Sequence, residues 1–160
     1  LGELKTALVL KAWIDEMSED EIIEKFGVEP GDLYRLISTS DWLLYATQEL
    51  ASLLGQRDLL PRIAELRERV AKGVKAELIP LVRLEGIGRV RARIMFNAGF
   101  RTLEDLRKAS IEELSRLPSI GMRIAKRIKE QVGGSFSREE WRRISEAKDA
   151  EQQALTEYYE

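Results

Sequence analysis

The 160-residue chain contains no cysteine and no histidine, which excludes disulfides, thiol nucleophiles, Ser-His catalysis and the usual zinc ligands. Its net charge of −2 hides a segregation, because residues 1–55 carry a net charge of −7 and residues 83–129 one of +7. A basic block on a nearly neutral chain indicates an anionic partner bound at one site. No apolar run has the length of a membrane span and the start does not resemble a signal peptide, so we expect an intracellular protein.

The first stretch of the chain predicts two helices. Residues 3–17 show apolar positions at helical spacing. Ser18-x-x-Glu21 has the pattern of a capping box, which predicts a short second helix that Gly27 ends. In the first helix, the positions that recur at this spacing are Leu4, Ala7, Leu8, Lys11, Ala12 and Ile14, all apolar except Lys11, and they form the predicted apolar face.

A long helix is predicted from Pro30 to about Leu54, followed by another over 57–72. Arg35 and Trp42 lie seven positions apart, which places them on one flank of the long helix, two turns from each other. Both side chains can stack on bases of a single strand. Taken alone, the pattern favours the alternative that Trp42 is a core residue and Arg35 is solvated. The predicted core stripe comprises Leu33, Leu36, Ile37, Leu44, Ala51 and Leu54.

A short repeat with a period of 33 residues dominates the second half of the chain. The segment L-E-G-I-G at 84–88 recurs as L-P-S-I-G at 117–121, each followed by basic residues. A glycine turn that feeds a helix leaves backbone N–H groups free, and the helix dipole favours an anion there. The pattern is that of the helix-hairpin-helix, which binds nucleic-acid backbone without reading sequence. Because Ser119 replaces the first glycine, the second hairpin is predicted to be weaker or purely structural; alternatively, both turns are structural.

Further short helices surround the repeat. One is predicted near 75–83, and Thr102 and Ser110 each predict a helix start between the two copies. The helix after the second copy is predicted to end at Gly133, and Ser137 begins a last helix. Since no run alternates with a period of two, we predict an all-α fold.

The ordered set of motifs resembles the C-terminal region of the archaeal Ski2-like superfamily-2 DNA helicases of the Hjm type. The residues that carry the resemblance are A-L-V-L-K-A-W-I-D-E at 7–16, G-D-L-Y-R-L at 31–36, D-W-L-L-Y-A at 41–46 and the two hairpins, within about residues 1–132. The resemblance implies a partial ratchet helical bundle at 1–82, a helix-hairpin-helix DNA-binding domain at 83–134, and a C-terminal helix and tail at 135–160.

The resemblance also implies where DNA binds. Arg35 and Trp42 would stack on bases of the translocating strand, and the hairpin domain would meet the 3′ tail of single-stranded or forked DNA. The implied backbone contacts are Gly86, Gly88, Arg89, Arg91, Arg93, Arg123, Lys126 and Arg127. The start inside a predicted helix suggests a fragment, which we expect to expose apolar surface on that helix.

The chain by itself is not expected to be an enzyme. It has no G-x-x-x-x-G-K-[ST] loop for ATP and magnesium, and the pattern provides no catalytic residue and no metal site. The resemblance implies that the parent protein is an ATP-dependent 3′-to-5′ helicase of replication-fork repair and recombination, with ATP and Mg²⁺ as its cofactors.

The C-terminal residues fit the motif that binds the sliding clamp (PCNA). The matching residues are Gln152, Leu155, Tyr158 and Tyr159. The alternatives are a chance match, or tyrosines that pack onto the protein.

Three rival functions stay open on the sequence alone. The chain could be an interaction scaffold with structural hairpins that docks a clamp, or part of an RNA-acting Ski2-like helicase. A nuclease subunit is the weakest alternative, because the acidic residues are spread over several helix faces.

Overall fold

The computed structural model describes residues 2–133, and over that range the chain is helical with no strand. The predicted all-α fold is confirmed. The predicted last helix from Ser137 and the clamp-binding motif lie outside the described residues. The chain divides into two compact units, Leu1–Val82 (unit 1) and Arg83–Glu160 (unit 2). No helix within residues 2–133 is both long and apolar enough to cross a membrane.

Unit 1 contains five α-helices and two short 3₁₀ turns within the described residues. The 3₁₀ turns, at Arg57–Leu59 and Ala76–Leu78, lead directly into the helices that follow them. The fourth predicted helix therefore begins as a tighter turn, which is common at helix ends. The helices are α1 (Gly2–Ile14), α2 (Glu19–Phe26), α3 (Pro30–Leu53), α4 (Leu60–Lys72) and α5 (Ile79–Val82).

The start and stop signals of α2 act as the sequence predicted. The Ser18 hydroxyl accepts a hydrogen bond from the Glu21 N–H at 3.3 Å, and the Ser18 N–H donates to the Glu21 carboxylate at 2.9 Å. Gly27 ends the helix in the left-handed conformation with φ 57°. The capping box therefore satisfies two backbone groups that the helix leaves unpaired.

The core of unit 1 is built around Trp13, which is 8% exposed. Its indole Nε1 donates to the Val70 carbonyl oxygen at 2.8 Å. The ring lies so close to Gly73 that a Cβ there would fall 2.4 Å from a ring atom. Gly73 also has φ 63°, a conformation that L side chains rarely adopt. Glycine at the end of α4 thus both turns the chain and makes room for the indole.

The predicted apolar face of α1 is confirmed at Ala12 and Ile14 and wrong at Leu4 and Leu8. Ala12 is buried and Ile14 packs on the core, whereas the two leucines are exposed and the helix buries Val9 and Trp13 instead. Both stripes have helical spacing, and the packing of the indole onto α4 decides which of them is buried. The expectation that α1 exposes apolar surface is confirmed by the same two leucines.

The predicted core stripe of α3 is confirmed except at its last position. Leu33 and Ala51 are buried, and Leu36, Ile37 and Leu44 are partly buried. Leu54 is 74% exposed, so its assignment to the core is wrong. The reason is that α3 ends at Leu53 and Leu54 is its C-cap, so the helical periodicity no longer determines where the side chain lies.

Within its described residues, unit 2 consists of two hairpins and four helices. Thr102 and Ser110 begin the second and third of these helices with the predicted capping boxes, whose carboxylates belong to Asp105 and Glu113. The core includes buried residues from each helix, among them Met95, Leu106, Ile111, Leu114 and Ile128. The helices are α6 (Arg89–Asn97), α7 (Leu103–Lys108), α8 (Ile111–Ser115) and α9 (Met122–Val132).

One buried cation was not predicted. Lys129 of α9 is 3% exposed, and its Nζ donates to the carbonyl oxygens of Arg107 at 2.7 Å and Ala109 at 2.6 Å. These carbonyls lie at the C-terminal end of α7, where a cation also complements the helix dipole. Lys129 therefore ties α9 to α7 and is not available to a ligand.

Candidate nucleic-acid interface

The two hairpins, residues 84–88 (hairpin 1) and 117–121 (hairpin 2), have the same backbone geometry. Gly86 has φ 79° and Ser119 has φ 61°, so the serine adopts the left-handed conformation of the glycine that it replaces. In hairpin 1 the Ile87 N–H donates to the Leu84 carbonyl at 3.1 Å, and in hairpin 2 the corresponding bond is also 3.1 Å. Ser119 thus leaves the turn intact, while phosphate binding by hairpin 2 stays a prediction.

The helices that follow the hairpins begin without a side-chain cap. Gly88 and Gly121 are the N-caps of α6 and α9, and neither helix has an acidic residue in its first turn. By contrast, α2, α7 and α8 each begin with a capping box whose carboxylate receives hydrogen bonds from the cap residue. The N-termini of α6 and α9 therefore lack the protein anion that the other three helices supply for themselves, and the helix dipole favours an anion from outside.

The small residues of the repeat let the helices pack closely behind the turns. Ala92 and Ala125 occupy equivalent positions and are fully buried. Their N–H groups each donate to the carbonyl of the preceding N-cap glycine at 3.0 Å. The first turn of each helix is consequently held by a buried residue, and the N–H groups that precede it have no partner within the helix.

Two of the predicted basic contacts are engaged within hairpin 1. Arg91 Nη1 donates to the Gly86 carbonyl at 3.0 Å, and Arg91 Nε donates to the Ser119 carbonyl of hairpin 2 at 2.9 Å. Arg127 lies 3.9 Å from the Glu85 carboxylate, and its Nη1 is 3.4 Å from where a Gly86 Cβ would stand. Both guanidinium groups therefore contact residues of hairpin 1, and the Arg91 guanidinium is hydrogen-bonded to both hairpins.

The remaining basic candidates differ in exposure. Arg123 is exposed in the first turn of α9, and within residues 2–133 its side chain has no hydrogen bond or ion pair. Lys126 lies 3.8 Å from the Glu130 carboxylate, and Arg89 is partly buried at the start of α6. The Arg93 guanidinium stands over the Phe96 ring at 5.0 Å. Of this set, Arg123 is the side chain best placed to meet a phosphate.

In unit 1, α3 presents Arg35 and Trp42 to solvent. Trp42 is 65% exposed, so the alternative that it is a core residue is wrong. The Arg35 side chain is 75% exposed and donates from Nη2 to the Asp32 carboxylate at 2.8 Å. Both side chains therefore lie on the solvent side of one helix, two turns apart, as their spacing predicted.

An ion pair that the sequence did not reveal joins α3 to α4. Arg67 Nε donates to Asp41 at 2.7 Å, with a second, longer bond of 3.4 Å from Nη2. The guanidinium also lies 5.0 Å from the centre of the Tyr45 ring. The hydrogen bond to Asp41 raises the pKa of Arg67. Asp41 and Tyr45 are one helical turn apart, which was a weak signal for a shared partner. The pair holds α3 in place beside Trp42.

No acidic cluster of three or more residues suited to a metal ion is found within residues 2–133. The chemistry that the described site offers is therefore that of backbone N–H groups, guanidinium groups and one exposed indole, which bind anions and bases.

Comparison with known proteins identifies the family. Residues 1–73 match the family model of archaeal helicase domain 4, and residues 78–133 match that of a SAM-like helix-hairpin-helix tandem. The ATP-dependent DNA helicase Hel308 of Pyrococcus horikoshii is 48% identical over 134 residues, which cover 83% of this chain. The chain belongs to the archaeal Ski2-like helicases. It matches their C-terminal region, and the resemblance drawn from its motifs is confirmed.

Other members of the helicase family agree with this assignment. Hel308 of Pyrococcus abyssi is 47% identical over 81% of this chain, and Hel308 of Aeropyrum pernix is 43% identical over 94% of it. The chain spans about a fifth of the length of these relatives, at 18% and 20% respectively. The helix-hairpin-helix match includes both hairpins, and the domain 4 match includes α1 to α4.

Proposed function

We propose that the chain is the part of an ATP-dependent 3′-to-5′ DNA helicase that holds single-stranded or forked DNA during replication-fork repair and recombination. The observation that carries the proposal is the pair of helix N-termini at Gly88 and Gly121 that lack a side-chain cap. In this proposal residues 1–82 form the ratchet bundle, residues 83–134 form the DNA-binding hairpin domain, and residues 135–160 form the tail.

Unit 2 would hold the DNA backbone. A phosphate at the start of α6 or α9 would accept hydrogen bonds from backbone N–H groups and gain from the helix dipole. Arg123 would add a charged hydrogen bond at hairpin 2, and the segment 83–129 has the net charge of +7 that attracts a polyanion. None of these groups reads a base, so binding would be tolerant of sequence.

Unit 1 would hold bases of the single strand. The exposed indole of Trp42 and the exposed guanidinium of Arg35 are both flat groups that stack on nucleobases. Their separation of seven residues corresponds to about 10 Å along the helix axis, which requires them to meet different bases of an extended strand.

ATP hydrolysis would take place elsewhere in the protein. The relatives are named as ATP-dependent helicases and are more than four times as long as this chain. The 160 residues contain no phosphate loop with its lysine and serine or threonine. ATP and Mg²⁺ are therefore proposed as cofactors of the parent protein, with this region supplying the grip on DNA.

The proposal predicts salt-dependent binding that Arg123→Ala weakens. Fluorescence anisotropy with a labelled 3′-tailed duplex would measure affinity over a series of salt concentrations. Losing one phosphate contact should lower the slope of log K against log salt by about 0.7–0.9 and weaken binding uniformly across sequences. Arg62→Ala, an exposed arginine of α4, is the matched control and should leave the slope unchanged.

Failure of the wild-type chain to bind at low salt would refute the proposal and favour the scaffold alternative. A single-stranded RNA of the same sequence, used as competitor, separates the two nucleic acids. Equal competition by RNA would support the alternative that the chain belongs to an RNA-acting Ski2-like helicase.

The clamp-binding motif stays a separate proposal. Gln152, Leu155, Tyr158 and Tyr159 match the motif in sequence alone. A peptide of residues 151–160, titrated calorimetrically into the sliding clamp, should bind, and replacing both tyrosines by alanine should abolish binding, since the aromatic side chains would fill the apolar pocket. Equal heats for the two peptides would contradict the assignment.

A further inference from the structure

Each hairpin of unit 2 is hydrogen-bonded to the helix that follows the other hairpin. Gln131, in the last turn of α9, holds hairpin 1 by both backbone groups of Glu85. Its Oε1 accepts from the Glu85 N–H at 2.7 Å and its Nε2 donates to the Glu85 carbonyl at 3.2 Å. Arg91, in the first turn of α6, donates from Nε to the Ser119 carbonyl of hairpin 2 at 2.9 Å.

Arg91 also connects the two turns directly. Its Nη1 donates to the Gly86 carbonyl at 3.0 Å, so neighbouring nitrogens of one guanidinium bind the carbonyls of the two left-handed residues. The planar guanidinium fixes the directions of both donors, and a lysine ammonium, which carries its donors on a single nitrogen, cannot reproduce that arrangement. A rotation of either turn would therefore break a bond to a rigid group that the other turn shares.

We propose that Arg91 and Gln131 are positioning residues that make the two hairpins act as one grip on the DNA backbone. This inference rests on the proposed function and changes the role of Arg91 from a phosphate contact to a brace. A phosphate site built from backbone N–H groups binds well only if those groups are already in place, because ordering them on binding lowers the affinity. The hydrogen bonds of Arg91 and Gln131 keep the N–H groups at the two helix N-termini in fixed positions relative to each other before DNA binds.

Substituting Gln131 separates positioning from charge, because the glutamine side chain carries no charge. If the hairpins act independently and the arginines act through charge, Gln131→Ala should leave DNA affinity unchanged. If the braces position the hairpins, Gln131→Ala should weaken binding about fivefold to tenfold, which corresponds to the loss of one or two net hydrogen bonds. Gln56→Ala is the matched control, since Gln56 is an exposed glutamine and its side chain makes no hydrogen bond within residues 2–133.

Arg91→Lys tests the role of Arg91 because it keeps the charge and removes the pair of donors that binds the two turns. We expect it to weaken binding to a 3′-tailed duplex nearly as much as Arg91→Ala does. Arg62→Lys is its matched control and should leave the affinity unchanged, since Arg62 is an exposed arginine of α4 whose side chain makes no hydrogen bond within residues 2–133.

Hydrogen exchange of the DNA-free chain gives a readout that a direct phosphate contact would not change. Arg91→Lys should accelerate exchange of the Ile120 amide, whose hydrogen bond to the Leu117 carbonyl closes hairpin 2. Gln131→Ala should accelerate exchange of the Ile87 amide, which makes the corresponding bond in hairpin 1. The melting temperature and helical circular dichroism of each variant establish that it is folded at the assay temperature.

The outcomes separate the inference from the function on which it rests. If both Arg91→Lys and Gln131→Ala weaken DNA binding and accelerate amide hydrogen exchange in the hairpins, the result supports the positioning role of these two residues. Wild-type affinity for either variant, while Arg123→Ala still weakens binding, overturns the braces and leaves the proposed function standing. Wild-type affinity for Arg123→Ala as well, or no binding by the wild-type chain, overturns both.

Discussion

Trp13 and Trp42 show how one residue type serves two purposes in the same unit. Trp13 is buried, donates to Val70 and packs on Gly73, so its ring area and its N–H are both used within the fold. Trp42 is mostly exposed on α3. A large exposed indole gains nothing for the fold from the apolar area that it leaves in water, and it is free to stack on a base.

The two tryptophans should therefore respond in opposite ways to truncation. Trp13→Ala should lower the free energy of unfolding by about 3–5 kcal/mol, because it leaves a cavity and an unpaired carbonyl. Trp42→Ala should change stability by about 0.5 kcal/mol or less but weaken binding of single-stranded DNA by about 1–3 kcal/mol. Urea denaturation and fluorescence anisotropy on the same preparations would measure both quantities.

A large loss of stability in Trp42→Ala would contradict the assignment of the exposed indole to DNA. Wild-type affinity in the same variant would show that the strand takes another path over α3. Trp13→Phe is a useful intermediate, since it keeps an aromatic ring but removes the hydrogen bond to Val70 and part of the buried ring area.

The placement of the two tryptophans also shows what helical periodicity can and cannot predict. The spacing of Arg35 and Trp42 correctly put them on one flank, because a helix has a fixed angle per residue. The same periodicity could not choose between the stripes of Leu8 and Trp13 on α1. That choice depends on Gly73, sixty residues later, which makes room for a ring.

At the scale of the helix, the N-terminal caps distinguish the two hairpin helices from α2, α7 and α8. Helices α2, α7 and α8 carry their own carboxylates at the N-terminus, while α6 and α9 begin at glycine with no side-chain cap. Caps contribute stability, so their absence at both hairpins is a cost that an external anion can offset. Helices α3 and α4 also lack a side-chain cap, so the helices proposed to bind DNA through their N-termini are distinguished by the glycine that begins each of them and not by the missing cap alone.

The capping boxes predict a specific loss of stability in acid. Hydrogen bonds from the side chain and backbone of Ser18 lower the pKa of Glu21, and those from Thr102 lower the pKa of Asp105. The backbone and side chain of Ser110 lower the pKa of Glu113 in the same way. Because these pKa values are lower in the folded state, the stabilisation is complete above the ordinary values of 4.5 for Glu and 3.8 for Asp and is lost as the pH falls through the folded-state values.

A variant with Glu21→Gln, Asp105→Asn and Glu113→Gln tests this prediction. Its melting temperature should lie below that of the wild type at pH 7, and the difference should shrink as the pH falls below about 4.5, where the wild-type carboxylates begin to lose their charge. Thermal melts followed by circular dichroism between pH 7 and pH 3 would measure the difference. If the melting-temperature difference does not change over that range, the lost stability comes from packing and not from the charge of the three carboxylates.

Hairpin 2 shows how far an element can be predicted from its sequence. The 33-residue repeat located both turns and both helix starts, because alternating apolar and glycine positions leave few other folds. The substitution of Ser119 suggested a weaker turn, but the residue holds φ 61° while its carbonyl accepts from Arg91. A partner 28 residues away therefore stabilises a conformation that serine rarely adopts by itself.

At the scale of the whole molecule, charge is separated in the same order as the two units. Residues 1–55 carry a net charge of −7 and lie in unit 1, and residues 83–129 carry a net charge of +7 and lie in unit 2. A polyanion would therefore be attracted first to unit 2 and held in unit 1 by stacking rather than by charge. At physiological salt, charges interact only over short distances because the solution screens them. The local distribution of charge therefore influences binding of a polyanion more than the net charge of −2 does.

The sequence by itself determined the helical class, the helix boundaries set by glycine and the capping boxes, the two hairpins and the family. These features depend on local rules, namely backbone conformation, side-chain periodicity and motif order, which need no knowledge of distant contacts. The tertiary structure alone decided that Trp13 is buried and Trp42 exposed, that Lys129 closes α7, and that Arg91 and Gln131 join the hairpins. Each of these depends on partners roughly twenty or more residues away, whose positions are fixed only when the helices pack.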